Sequence, residues 1–153
     1  MRYLIGIGSY YGRDDSIGLR IAEHIGEAGL DQGFRAIDLG GNLLDLVHYL
    51  HAETAQVLIV DSARMGRVPG DFAFFEPEQV SSRKVIGGIS THEGDLLKVL
   101  ELAAAMEDRL PPVTIMGIEP AELRDEPGLS GVLSERFDEY VTGALEFLTP
   151  STP

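Results

Sequence analysis

Three polar side chains from distant parts of the chain have the types needed to carry out chemistry together. Asp15 follows a glycine-rich segment, Asp61 ends a run of four aliphatic residues, and His92 lies in a short polar segment. Two carboxylates and an imidazole suit zinc, nickel, manganese or iron. Three protein ligands leave a coordination position for water or substrate, as metal-assisted hydrolysis requires. The sequence therefore predicts a candidate site assembled from three loops.

Each of these side chains also has a structural interpretation. Asp14 and Asp15 are acids of the kind that stabilise the start of a helix through its dipole. Asp61 can cap the turn after its strand, and a lone histidine such as His92 is often structural. The other histidines lie in or beside predicted helices, where packing or solvent exposure accounts for them: His24, His48 and His51.

Several other chemistries fit the sequence poorly. Gly6, Gly8 and Gly12 give a GxGxxxG pattern rather than a dinucleotide fingerprint, and Asp14 and Asp15 would repel a pyrophosphate at the following helix. The chain has no Cys and no Trp, and neither HExxH nor GxSxG occurs. A serine hydrolase would have to use Ser90 and His92, but residues so close together in one loop rarely face each other. A glycosidase could use Asp15 and Asp61 as its acid–base pair, but the chain has no Trp to stack against a sugar.

Strand-like and helix-like patterns alternate along the chain and must position these residues. Strands are predicted at 3–7, 34–38, 56–61, 72–76 and 113–118, and helices at about 17–26, 43–50, 96–104 and 130–148. We expect the 72–76 strand to be antiparallel at an edge, residues 81–91 to form a loop, and Ser130 to cap the last helix. The alternation predicts an α/β domain with a mostly parallel sheet. Ligands bind such sheets beyond the carboxyl ends of the strands, where the three loops begin.

Composition limits the classes of partner. The formal net charge is −13, which argues against binding nucleic acid or an anionic membrane surface. No apolar run approaches the roughly 20 residues that span a bilayer. The absence of Cys fits a reducing compartment. We expect one cytoplasmic domain over residues 1–150, followed by a disordered tail at 151–153.

Six short motifs, in order along nearly the whole chain, resemble those of the hydrogenase maturation endopeptidases. They are Gly6-Ile7-Gly8 with Asp14-Asp15-Ser16-Ile17-Gly18, Asp38 with Gly40-Gly41, Val57-Leu58-Ile59-Val60-Asp61, Ser90-Thr91-His92, Gly117-Ile118-Glu119-Pro120, and Gly128-Leu129-Ser130. The resemblance implies a three-layer α/β/α sandwich. It also implies an enzyme that removes a carboxyl-terminal extension from the large-subunit precursor of a nickel–iron hydrogenase after nickel insertion.

The resemblance also implies roles for particular residues. Asp15, Asp61 and His92 correspond to the family's metal-contacting residues, and the metal is the nickel already held by the precursor. Zinc or cadmium would be expected to occupy the same place in crystals. We expect Asp14 to support the metal ligands from behind, to orient water beside the metal, or to contact substrate. The second loop, with Asp38, Gly40 and Gly41, is expected to contact the substrate.

Two other functions stay open on sequence grounds. A non-cleaving, metal-dependent chaperone or checkpoint protein would bind the precursor without shortening it. A nucleotide-binding α/β module is the third possibility, and a thermal-shift screen of nucleotides would reveal it. We also expect a monomer.

Overall fold

A five-stranded sheet forms the centre of the fold. The computed structural model describes residues 1–40, 42–79, 91–107 and 109–149, with the side chains of residues 91–95 excluded. The strands are β1 (Arg2–Gly6), β2 (Arg35–Asp38), β3 (Gln56–Ser62), β4 (Phe72–Phe75) and β5 (Val113–Ile118). Their order across the sheet is β2-β1-β3-β5-β4.

The pairing of the strands places several loops at one edge of the sheet. β1, β2, β3 and β5 are parallel, whereas β4 is antiparallel to β5 and lies at the edge, as predicted. Gly6 at the end of β1 pairs with Asp38 and Val60, and Asp61 pairs with Gly117. The carboxyl ends of the four parallel strands therefore lie side by side. We call this the carboxyl edge.

Helices cover both faces of the sheet. They are α1 (Ile17–Glu27), α2 (Thr91–Met106), α3 (Gly131–Glu135), α4 (Phe137–Leu148) and a 3₁₀ helix at Leu43–Tyr49. Buried residues of α1, α3 and α4 share a core cluster with Leu58 and Val60, whereas those of α2 and the 3₁₀ helix share one with Val57 and Ile59. Alternate residues of β3 thus face different helical layers, which explains its unbroken aliphatic run. The expected three-layer sandwich is confirmed.

Two glycines allow α1 to pack directly on the backbone of the sheet. A Cβ atom on Gly18 would lie 2.1 Å from the carbonyl oxygen of Val60, and one on Gly6 would lie 2.1 Å from the carbonyl oxygen of Gly18. Neither position has room for a side chain. This close contact fixes the start of α1, and therefore Asp15, against the end of β3.

Three predicted helices differ from those observed. The helix predicted over 96–104 spans Thr91–Met106. Where a helix is predicted over 43–50, Leu43–Tyr49 is a 3₁₀ helix rather than an α-helix. The single helix predicted over 130–148 is two helices separated at Arg136, which has φ −101° and ψ 7°. The apolar spacing continues across this break, so periodicity does not reveal it. Ser130 does cap α3, where its hydroxyl oxygen accepts a hydrogen bond from the Leu133 N–H at 3.4 Å.

Some predictions fall on residues beyond this description. Of the predicted loop over 81–91, residues 81–90 lie outside the described residues, and Thr91 is already the first residue of α2. The tail at 151–153 also lies outside them. None of the helices in the described part of the chain combines the length and apolar character that crossing a membrane requires.

Candidate active site

Asp15 is fixed at the carboxyl edge by hydrogen bonds from two different segments. It belongs to a 3₁₀ helix, Arg13–Ser16, which leads from the first loop into α1. Its Oδ2 accepts a hydrogen bond from the Ser9 N–H at 3.0 Å, and its Oδ1 accepts one from the Ser62 hydroxyl at 2.8 Å. Only 9% of the residue is exposed. The carboxylate therefore joins the first loop to the end of β3 in a defined orientation.

Asp61 lies next to the same loop. It is 1% exposed at the end of β3. Gly8 separates the two acids: a Cβ atom there would lie 2.1 Å from the carbonyl oxygen of Asp15 and 3.8 Å from Oδ1 of Asp61. Gly8 has φ +136°, a conformation that favours glycine. The structure thus brings together two of the three residues singled out from the sequence.

The buried carboxylates of Asp15 and Asp61 both lie at the carboxyl edge. Negative charge buried there would be stabilised by a cation. Carboxylate oxygens are suitable ligands for divalent metal ions. The donor set at this edge therefore fits a metal.

His92 lies in the first turn of α2, but its side chain is outside the described residues. α2 ends shortly before β5 begins, so the helix runs back along the sheet and its first turn lies towards the carboxyl edge. Asp61 has the same parity along β3 as Val57 and Ile59, which face the α2 layer. Among the described side chains, no group of three His, Cys, Asp or Glu residues is placed to hold a metal. The third ligand predicted from the sequence, the His92 imidazole, lies outside that set.

Asp14 has a different environment from its neighbour Asp15. It is fully buried. Its Oδ2 accepts hydrogen bonds from the N–H groups of Ala121 and Glu122, both at 2.8 Å, and its Oδ1 accepts one from the Ser130 N–H at 2.8 Å. These contacts tie the first loop to the segment that follows β5. They give Asp14 a structural role in place of the substrate or water contact expected from the sequence.

The second loop borders a cavity at the same edge. Asp38 is exposed, and its Oδ1 accepts a hydrogen bond from the Gly40 N–H at 3.1 Å. Gly40 has φ +71° and helps to line a cavity of about 320 Å³. Ile7, Gly8, Ser9, Tyr10, Leu19 and Leu43 complete the lining. Gly41 is outside the described residues. The loop therefore lies beside the residues that surround the two carboxylates.

Ser62 and Glu119 were not singled out for a role in the site from the sequence. The Ser62 hydroxyl holds Asp15, as described above. The buried Glu119 carboxylate accepts hydrogen bonds through Oε1 from the N–H groups of Met65 at 2.7 Å and Arg67 at 3.0 Å. It thereby holds the loop that follows Asp61. Ser62 ends β3 and Glu119 directly follows β5. These positions were the available signal, because polar residues there lie at the carboxyl edge.

The remaining histidines have the packing and surface roles expected of them. The His24 ring packs edge-on against Phe137, with 5.5 Å between ring centroids. Nε2 of His51 lies 3.5 Å from Oγ1 of Thr54. His48 is exposed. None of these described contacts involves Asp15 or Asp61.

The fold and this edge define a class of protein: a three-layer α/β/α domain with carboxylates gathered where its parallel strands end. The family model for hydrogenase maturation protease, HycI, matches residues 19–147. The chain belongs to the hydrogenase maturation protease family, whose members are endopeptidases. The match includes Asp61 and His92 but begins just after Asp15.

Individual relatives and solved structures agree with this assignment. The hydrogenase expression/formation protein HupM of Azotobacter chroococcum mcd 1 is 30% identical over 148 residues, covering 95% of this chain and 70% of the relative. HoxM of Azotobacter vinelandii is 29% identical with the same coverage. The maturating endopeptidase HybD from E. coli has a TM-score of 0.79 at 21% identity, covering 96% of this chain and 91% of that one. The maturation protease HybD from Thermococcus kodakarensis also has a TM-score of 0.79, at 18% identity, covering 97% and 99%.

Proposed function

We propose that this endopeptidase removes the carboxyl-terminal extension of a nickel–iron hydrogenase large-subunit precursor after nickel has been inserted. Asp15, Asp61 and His92 contact the precursor's nickel, which serves as the handle by which the enzyme recognises its substrate. Nickel is therefore brought by the substrate. A precursor without nickel lacks the group that these three side chains bind.

The observation that carries this proposal is the convergence of Asp15 and Asp61 around Gly8. The two residues lie 46 positions apart in the sequence and reach the same point through the loop after β1 and the end of β3. Burying two carboxylates at one edge of the sheet costs free energy unless hydrogen bonds or a cation compensate. A metal delivered by the substrate gives the arrangement a purpose.

The chemistry required is hydrolysis of one peptide bond. The oxygen of water adds to the scissile carbonyl carbon, the C–N bond breaks, and the new amino terminus of the released extension takes up a proton. A nickel ion close to that bond polarises the carbonyl or activates the water. The protein's part is to hold the loaded precursor so that the bond and the metal lie together.

The polypeptide chain of the precursor binds in the cavity beside the second loop. Gly40 and Leu43, from the second loop and the 3₁₀ helix after it, line this cavity together with Gly8 and Ser9 from the first loop. Ser9 also donates its N–H to Asp15, so a peptide in the cavity lies next to a residue that holds the proposed metal ligand. Asp38 and Gly41 belong to the same loop and are assigned to substrate contact on that basis.

Processing of purified precursor tests the proposal. The enzyme is mixed with nickel-loaded or nickel-free precursor, and the mass of the precursor is followed over time. We expect the loaded form to lose its extension and the nickel-free form to keep it. Equal cleavage of both forms would exclude nickel as the recognition handle. Association without shortening would indicate a checkpoint protein instead, provided that a known family member processes the same preparation.

A matched pair of histidine variants tests the third ligand. His92→Ala should abolish processing of the loaded precursor because it removes the proposed imidazole ligand. His48→Ala removes an exposed histidine and should process the precursor at the wild-type rate. Loss of processing in His48→Ala with full activity in His92→Ala would show that the site has been assigned to the wrong residues.

A further inference from the structure

Ser62 follows directly after Asp61, but its hydroxyl contacts the other proposed ligand, Asp15. It is the last residue of β3 and is 1% exposed. Its parity along the strand is that of Leu58 and Val60, which face the layer of α1. From there its Oγ donates a hydrogen bond to Oδ1 of Asp15 at 2.8 Å. At the end of β3, Asp61 is therefore one proposed ligand, and Ser62 holds the other proposed ligand, Asp15.

The hydrogen bond from Ser62 controls the direction of the Asp15 carboxylate. Ser9 supplies an N–H to Oδ2, so each oxygen has a donor from a different segment of the chain. A carboxylate held at both oxygens cannot rotate about its terminal bond without losing one of these bonds. Each carboxylate oxygen has two lone-pair directions, so such a bond is compatible with metal contact.

We propose that Ser62 is a positioning residue that acts through Asp15 in the recognition of the nickel-loaded precursor. The inference rests on the proposed function and deepens it. Groups that hydrogen-bond to metal ligands orient those ligands, and their removal commonly costs about 10–100-fold in metal affinity or activity. Ser62 has the geometry of such a group and does not itself contact the metal.

The central test is Ser62→Ala, which removes the hydroxyl and keeps the Cβ atom. The affinity of the variant for nickel-loaded and for nickel-free precursor is measured, together with kcat and KM for processing. We expect affinity for the loaded form to fall by about 10–100-fold, with affinity for the nickel-free form unchanged. A merely structural role would lower both affinities together, and that result would overturn the proposal.

Thr54→Val provides the matched control. Thr54 is also a buried hydroxyl residue, but it lies just before β3, at the end of the strand away from the carboxylates. Its variant should keep the wild-type ratio of affinities for loaded and nickel-free precursor. Ser62→Thr restores a hydroxyl and should recover most of the ratio lost in Ser62→Ala.

A double variant covers the case in which Thr does not fit at position 62. Ser62→Ala should lower the affinity for loaded precursor in the wild-type background but have little further effect in Asp15→Asn. An equal loss in both backgrounds would show that Ser62 does not act through Asp15 and would overturn the inference. Wild-type affinity and processing in Ser62→Ala would overturn it while leaving the proposed function intact. Failure of the wild type to process loaded precursor would instead overturn both.

Discussion

The carboxyl edge and the opposite, amino-terminal end of the sheet differ in the number of buried polar residues that they contain. All but one of the buried polar residues in the described part of the chain lie at the carboxyl edge or in the loops attached to it; they are Asp14, Asp15, Ser16, Asp61, Ser62, Glu119 and Ser130. The exception is Thr54, before β3. The amino-terminal end instead has a larger cavity, of about 470 Å³, beside the start of β5 and the later turns of α2. Leu97, Leu100, Ala104 and Leu110 provide much of its apolar lining.

This difference makes the larger cavity the weaker candidate for the proposed site. Burying carboxylates is costly unless hydrogen bonds or cations compensate, and at the carboxyl edge hydrogen bonds hold Asp14, Asp15 and Glu119 in defined orientations. An apolar hollow under a helix requires no such compensation. The smaller cavity of about 320 Å³ beside Gly8 and Gly40 is therefore the better candidate for substrate.

The largest expected effect comes from the carboxylate at the end of β3. Asp61→Asn keeps the shape of the side chain but removes its charge, and we expect processing to slow by about 100-fold or more because a proposed metal ligand is lost. The initial rate of precursor shortening measures this. Asp45→Asn, in an exposed position, should retain the wild-type rate. Wild-type processing by a folded Asp61→Asn variant would remove the carboxyl edge from the mechanism.

The adjacent carboxylates Asp14 and Asp15 allow stability to be separated from activity. Asp14→Asn should lower the free energy of unfolding by about 2–4 kcal/mol, since an amide cannot accept all three hydrogen bonds that the buried carboxylate receives from backbone N–H groups. Urea denaturation measures the change. Asp125→Asn is the control. Asp125 is exposed in the segment that Asp14 holds, and its substitution should leave the free energy of unfolding nearly unchanged. An Asp14→Asn protein as stable as wild type would contradict the structural role given to Asp14.

Tyr140 gives a smaller effect with a defined pH dependence. Its hydroxyl donates to the Gly70 carbonyl oxygen at 2.7 Å, and burial raises its pKa from 10.0 to about 12. Because the folded state retains the phenolic proton more strongly, this contribution to stability is complete below pH 10.0 and is lost as the pH rises towards about 12. Tyr140→Phe should lower the free energy of unfolding by about 1 kcal/mol at neutral pH.

Unfolding of wild type and Tyr140→Phe at several pH values measures this dependence. The stability difference between the two proteins should shrink between pH 10.0 and about 12. A difference that stays constant across that range would mean that Tyr140 does not titrate as its burial requires.

The sequence predicted the alternating strands and helices because their patterns are strong and local, whereas the three-layer arrangement was expected from the family resemblance. Four consecutive aliphatic residues before Asp61 indicate a strand buried on both faces, and Ile17, Ile21 and Ile25 indicate the inner face of α1. Polar residues directly after strands then predicted the edge where Asp15 and Asp61 meet. These inferences needed only periodicity and the geometry of parallel sheets.

The roles of individual side chains could not be predicted in the same way. Asp14 and Asp15 are identical in type and adjacent, yet their carboxylates accept hydrogen bonds from different parts of the chain. The partners of Asp14 lie more than 100 residues further along the chain. Ser62 and Glu119 likewise acquire their roles from long-range contacts. Such contacts depend on the assembled fold and leave no periodic signal.

A crystal soaked with cadmium or nickel tests the central claim most directly, with the soaked ion standing in for the nickel of the precursor. Anomalous scattering would locate the ion. The account predicts an ion at the carboxyl edge with ligands from Asp15, Asp61 and His92, at distances of about 2.0–2.4 Å. An ion bound by other residues, with the His92 imidazole directed away from the two carboxylates, would contradict it.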